Sequence, residues 1–285
     1  MPHGLDAWLV LATLFVAVAI YARGWSELSR RMPLRFGVGR LAAFVGGLAV
    51  IAVALASPLD ALAGELLSAH MVQHQLLMML APPLLWLGAP TAPMLVGLPP
   101  RIRRWVAAVL AARFVRSVAH VLSPPLVGWV SFSVAFWGWH APLLYDLALR
   151  SHGWHHVEHI CFFATAMLFW RPVILAWPAR SPGPRWTMIP YLLLADVQNT
   201  VLAAILTLSD RIIYPAYAVV PRASVSPLDD QSLAGLIMWV PGSLVFLVAA
   251  VGLVFESLAS GASAAGRPRP HESPRQTGLS STHPV

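Results

Sequence analysis

The stretch ELLSAHMVQHQLLMMLAPPLLWL, running from Glu65 to Leu87, carries no formal charge after its first residue. About 20 such residues, rising 1.5 Å each as a helix, cross the hydrocarbon core of a bilayer. Six further runs of this kind flank it: Leu5–Tyr21, Leu41–Ala56, Pro125–Ala141, His155–Trp177, Thr187–Leu208 and Leu233–Phe255. The 285 residues are 58% hydrophobic and 11% charged, with a mean hydropathy of +0.68. Soluble domains carry about 25% charged residues, so a water-soluble globule is excluded. The expected fold is an all-α polytopic membrane helix bundle of about seven transmembrane helices.

The first run lacks a basic segment ahead of it and an arginine cluster follows it, so it reads as a retained span and not a cleaved signal. All 19 basic residues are arginine, and the formal net charge is +7. Arg23, Arg30, Arg31, Arg35 and Arg40 follow span one; Arg101, Arg103, Arg104, Arg113 and Arg116 follow span three; Arg171, Arg180 and Arg185 follow span five. Arg267, Arg269 and Arg275 lie in the tail, and only Arg150, Arg211 and Arg222 fall on the other side. Short loops rich in arginine stay on the cytoplasmic face, so the N terminus is expected outside and the C terminus inside. Charge confined to loops in this way marks orientation and not a nucleic-acid surface. Residues 1–256 form the expected seven-span domain, with an interfacial amphipathic helix over 101–121. Residues 257–285, rich in Ser, Gly, Pro and Arg, are expected to be a disordered cytoplasmic tail.

Ionisable groups in hydrocarbon cost on the order of 2.5–3.5 kcal/mol on insertion scales and ask for partners. On this topology they gather in the outer half of the membrane. His70 and His74 lie one turn apart on span three, with Met78 continuing the stripe. His140 ends span four, and His152, His155 and His159 share a face at the start of span five beside His156 and Glu158. Span seven begins near Asp229, Asp230 and Gln231, with Met238 about two turns in. Neutral imidazole binds Cu, Zn, Fe and Ni, and thioether sulfur favours Cu(I). His70, His74, His140, His155 and His159 therefore form a candidate copper site, with Met78, Met238 and Asp230 as accessory ligands and Glu158 orienting a ligating imidazole. A single cysteine, Cys161, makes no thiolate cage.

The same residues also fit other chemistries. Facing histidines on spans three and five would also suit a bis-His haem, and the same cluster would suit the mouth of a copper permease with Asp196 further along the path. His155-His156-Val157-Glu158-His159 matches the zinc-protease pattern H-x-x-E-H, but it opens a membrane span with no evident substrate cleft. Pro82-Pro83 are expected to kink span three below the histidine pair. Asp196, Gln198 and Asn199 form a polar patch midway along span six, with Asp196 facing the bundle interior.

Several strings follow one another along the chain: His70-Met71-Val72-Gln73-His74, Ala81-Pro82-Pro83 and Leu87-Gly88-Ala89-Pro90, then Trp137-Gly138-Trp139-His140-Ala141-Pro142 with Leu144-Tyr145. His155-x-x-Glu158-His159 with Phe169-Trp170-Arg171-Pro172 and Asp230-Gln231-Ser232 through Met238-Trp239 complete the set. In this order they resemble the CtaG family of cytochrome c oxidase assembly factors, over roughly Leu59 to Phe255. The resemblance implies a non-enzymatic protein of the bacterial plasma membrane that assists haem-copper oxidase subunits, by delivering copper to the catalytic centre. The chain lacks the cysteine pair of the unrelated one-span copper chaperone of the same name.

Overall fold

The structure, a computed structural model, describes residues 3–174, 183–219 and 225–265. Every regular element among these residues is helical. Helix α1 (His3–Arg31) bears Asp6 in its first turn and Arg30 and Arg31 in its last, the charge order that complements the helix dipole. Helix α2 (Val38–Ala56) leads to the short α3 (Pro58–Ala63), which starts with a proline at its first position and with Leu59 N–H donating to Ser57 Oγ at 3.2 Å.

Residues 67–87 fold as α4 (Leu67–Gln75), a π-helical turn (Leu76–Leu80) and α5 (Ala81–Leu87). Proline has no N–H, so Pro82 leaves the Met78 carbonyl without its helical donor. Trp170 supplies one from across the core, its Nε1 donating to Met78 O at 2.9 Å. The kink expected at Pro82-Pro83 is thus absorbed as a π turn. The sharp bend comes later, where Leu67–Leu87 meets α6 (Thr91–Gly97) at 68°. There Ala89 adopts a positive φ of 46°, a conformation that costs a residue with a Cβ. Tyr21 braces this corner from α1, donating to Gly88 O at 2.6 Å and stacking on Phe44. Gly24 and Gly97 let α1 and α6 cross backbone to backbone, since a Cβ on either would overlap the opposing carbonyl.

The expected single interfacial helix over 101–121 is two helices, α7 (Pro100–Ala111) and α8 (Arg113–Val121), hinged at an extended Ala112 with ψ 140°. No residue of either is buried. Helix α8 meets α9 (Pro125–His140) at 74°. Helix α10 (Pro142–Arg150) then leads to α11 (His152–Ile174), α12 (Met188–Leu208) and α13 (Pro227–Ala265). Helices α1, α2, α11, α12 and α13 are long and apolar enough to cross a membrane, and counting each bent pair as one span gives up to seven. Helix α13 continues past the expected boundary at 256 to Ala265, and residues 266–285 of the expected tail lie outside the described residues. The same holds for 175–177, the end of the fifth expected span, and for Arg180 and Arg222.

Helices α4, α9, α11, α12 and α13 enclose an aromatic core of Phe132, Phe136, Phe162, Phe169, Trp170 and Phe246. Large apolar side chains such as Phe15, Val53, Val134, Leu194 and Leu247 stay exposed on the outside of the bundle, as helices solvated by lipid require. Asp196 is half-buried, and the buried Asn199 beside it donates to Met238 O at 3.0 Å. The polar patch of α12 thus serves in part as a helix-to-helix bond.

Candidate metal centre

The site begins with how α4 starts. Leu66 precedes it and offers no capping side chain. Asp230 of α13 caps it instead: Oδ2 accepts from Leu67 N–H at 2.7 Å, and Oδ1 accepts from Ser68 N–H at 3.2 Å and Ser68 Oγ at 2.5 Å. A carboxylate at a helix N-terminus satisfies open donors and the helix dipole together. Asp230, expected as an accessory ligand, is therefore occupied as a cap that holds α4 in register. Gln231 pins the loop after α12, accepting from Ile213 N–H at 2.7 Å and donating to Arg211 O at 3.0 Å. That loop delivers Tyr214 and Tyr217 over the histidines.

All five expected imidazoles converge. Ring centroids lie 4.2 Å apart for His70 and His74, 5.2 Å for His70 and His155, and 4.2 Å for His155 and His159. His159 and His140 stand 5.6 and 6.1 Å from His74. His70, His74, His140 and His159 are buried and His155 is half-buried. His152, the first residue of α11, stays exposed and pairs with Asp6 at 3.0 Å.

Glu158 is fully buried and points one carboxylate oxygen at each ring of the first pair, 3.7 Å from His70 Nε2 and 3.7 Å from His74 Nε2. Those separations are too long for hydrogen bonds. Metal–ligand bonds of about 2.0–2.2 Å set two donors of one ion roughly 3.3–4 Å apart, which is the spacing found. Glu158, expected only to orient a histidine, thus stands as a ligand candidate with His70 and His74, their donor atoms all within 4.8 Å of one another.

Tyr217 and the Phe136 carbonyl fix which nitrogen faces inward in His70 and His140. Tyr217 donates its one hydroxyl proton to Ala63 O at 2.8 Å, so its oxygen accepts from His70 Nδ1–H at 3.2 Å. His70 Nε2 then carries a lone pair toward Glu158. His140 Nδ1 lies 2.7 Å from Phe136 O, an acceptor only, so its Nε2 is likewise unprotonated. Tyr214 donates to His140 O at 2.8 Å and its ring stacks on Tyr145, with centroids 4.0 Å apart. Burial pushes the Tyr145 and Tyr214 phenols up from their ordinary pKa, so both remain hydroxyls.

His70 Nε2, both nitrogens of His74, Nε2 of His140, His155 and His159, and both oxygens of Glu158 are buried without a hydrogen-bond partner. Each such orphan costs about 1–3 kcal/mol, and the ligand atoms of His70, His74 and Glu158 lie close enough together to share one cation that would satisfy them. The two methionines are buried in the core, Met78 against Trp170 and Met238 against Asn199 through their carbonyls. Sequence reasoning missed Tyr214 and Tyr217, whose roles depend on a loop that no periodicity marks.

A sequence profile for the family described as cytochrome c oxidase caa3 assembly factor (Caa3_CtaG) matches residues 19–260. The chain belongs to this family. It is 30% identical over 264 residues to an uncharacterized protein of Mycobacterium bovis and to one of Mycobacterium tuberculosis, covering 87% of this chain and 38% of each relative. An uncharacterized protein of Mycobacterium leprae is 26% identical over 261 residues, covering 86% and 38%. The chain thus spans about two fifths of the length of the curated relatives it matches. No solved structure matches. The family match takes in every motif of the CtaG resemblance, so this family member carries all five clustered histidines and Glu158 inside its matched region.

Proposed function

We propose that this CtaG family member assists assembly of a haem-copper cytochrome c oxidase by holding a copper ion at His70, His74 and Glu158, with His140, His155 and His159 as exchangeable further donors, and passing it to an oxidase subunit within the bilayer. The observation that carries the reading is the buried His70, His74 and Glu158 group, whose facing atoms have no hydrogen-bond partner and lie within 4.8 Å of one another. An imidazole and carboxylate set is open and labile compared with a thiolate cage, which suits an ion that must leave again. Copper is the cargo, and the protein's groups bind it, fix its donors' tautomers and exclude water. Met78 and Met238 are the accessory candidates for thioether ligands to Cu(I). The arginine distribution supports a topology with the N terminus outside, the C terminus inside and the cluster toward the outer face of a bacterial plasma membrane.

Metal analysis of the detergent-purified protein beside H70A/H74A tests the site, and oxidase activity in cells carrying that variant tests the role. One copper per chain lost in the variant, together with reduced oxidase activity, is the expected result. A protein that binds no copper, or a variant with full oxidase activity, overturns the delivery reading. Copper accumulating inside proteoliposomes would make the protein a permease, and a Soret band would make it a cytochrome.

A further inference from the structure

A second group of ligand atoms lies on the outer surface. Asp6 of α1 and His152 and His156 of α11 bring one donor atom each within 4.8 Å of one another. His152 and His156 are one turn apart with ring centroids 4.3 Å apart, and His152 Nε2 stands 3.0 Å from Asp6 Oδ2. Two imidazoles at i and i+4 with a facing carboxylate form a chelating set of the kind that binds borderline-soft divalent ions, and imidazole suits copper.

Two cavities lead inward from this group. One of about 310 Å³ is lined by the exposed His152 and His156, by Asp6 and by the buried His159. The other, of about 410 Å³, is lined by His152, His155 and Glu65 and reaches His70. Asp60 and His152 line both. Asp60 is held in place at this junction by Gln73, which donates to its Oδ1 at 2.9 Å. Donors therefore follow one another from the surface inward: Asp6, His152 and His156 first, then Asp60, then His155 and His159, whose rings are 4.2 Å apart, and then His70.

We infer that Asp6, His152 and His156 form a separate receiving site, at which an incoming copper ion docks before passing by ligand exchange along the two cavities to the buried centre. This rests on the reading of that centre as a copper site. At each handover one protein donor bonds the ion as another leaves. At the outermost step the ion's bond to His152 takes the place of the His152–Asp6 hydrogen bond, the neutral ring keeping its N–H on the other nitrogen. An exposed receiving set of three donors needs no closed coordination sphere, so it captures the ion and releases it readily inward.

The test uses the full chain in detergent under anaerobic conditions, titrated with Cu(I) supplied as its acetonitrile complex. Wild type is expected to bind two ions, H152A/H156A one and H70A/H74A one. Loading of the buried centre, followed by stopped-flow, should slow several-fold in H152A/H156A and also in D6N, which leaves both imidazoles in place. Retention of the buried ion in H152A/H156A shows that the variant is folded. Unchanged stoichiometry and loading rate in both variants overturns the receiving site and leaves the buried centre standing. A wild type that holds a single ion, lost in H152A/H156A and kept in H70A/H74A, overturns the buried centre while sparing the outer site.

Discussion

The hydroxyl of Tyr217 stands 3.2 Å from Nδ1 of His70 while donating its own proton to Ala63 O. A residue of the loop after α12 therefore decides which nitrogen of a histidine on α4 carries the lone pair. Replacing Tyr217 with Phe removes the acceptor and frees the ring to change tautomer. Partners that orient a metal-bound imidazole are typically worth 10–100-fold in affinity. Copper affinity of Y217F should fall by roughly tenfold or more at unchanged stoichiometry, measured by competition with a Cu(I) chelator. An affinity equal to wild type would show that the bond does not orient the ring.

Glu158 gives a prediction with two opposite signs. Its carboxylate is fully buried with both oxygens lacking hydrogen-bond partners, so in the metal-free protein it is a cost. With an ion in place it supplies the anionic ligand. E158Q should leave the thermal stability of the metal-free protein unchanged or raised, and should lose most of the stabilisation that copper gives. A ligand at 100 times its dissociation constant stabilises by about 2.7 kcal/mol, so the copper-dependent rise in Tm is the readout. An equal rise in wild type and E158Q rules out Glu158 as a ligand.

Much of this fold is legible in the sequence because apolar runs and arginine-bearing loops are local signals. The convergence of His70, His74, His140, His155 and His159 is legible for the same reason, since topology alone sets their depth. What escapes is settled by distant partners. Pro82-Pro83 signals a kink, but whether it becomes a π turn depends on Trp170, 92 positions from Met78. Asp230 looks like one more oxygen donor near the cluster, and only the uncapped start of α4 reveals what it binds. Tyr214 and Tyr217 reach the site because Gln231 ties down their loop. The break at Ala112 is invisible because the apolar period of α7 and α8 runs on across an extended residue.

Asp230 is expected to affect folding more than chemistry. Loss of a capping side chain costs about 0.5–2 kcal/mol, and this cap satisfies two backbone N–H groups and Ser68. D230A should lie at the upper end of that range, read as a drop in Tm in detergent. Because α4 carries His70 and His74, its copper affinity should also weaken, yet it should still bind the same number of ions at saturation. Loss of an ion from D230A would return Asp230 to the ligand set.

Trp170 tests whether the π turn is structurally required. Its indole N–H meets the Met78 carbonyl that Pro82 leaves without a helical donor. Its ring is 1% exposed and stacks on Phe246 with an interplanar angle of 15°. W170F keeps an aromatic ring but strands the carbonyl, at about 1–3 kcal/mol, and leaves unfilled space besides. P82A supplies the missing N–H locally, so in combination with W170F it should recover part of the lost stability. The double variant should thus be less destabilised than the sum of the two single changes, a coupling read from thermal unfolding in one detergent. Strict additivity would mean that Trp170 contributes through packing and that the Met78 carbonyl finds its partner elsewhere.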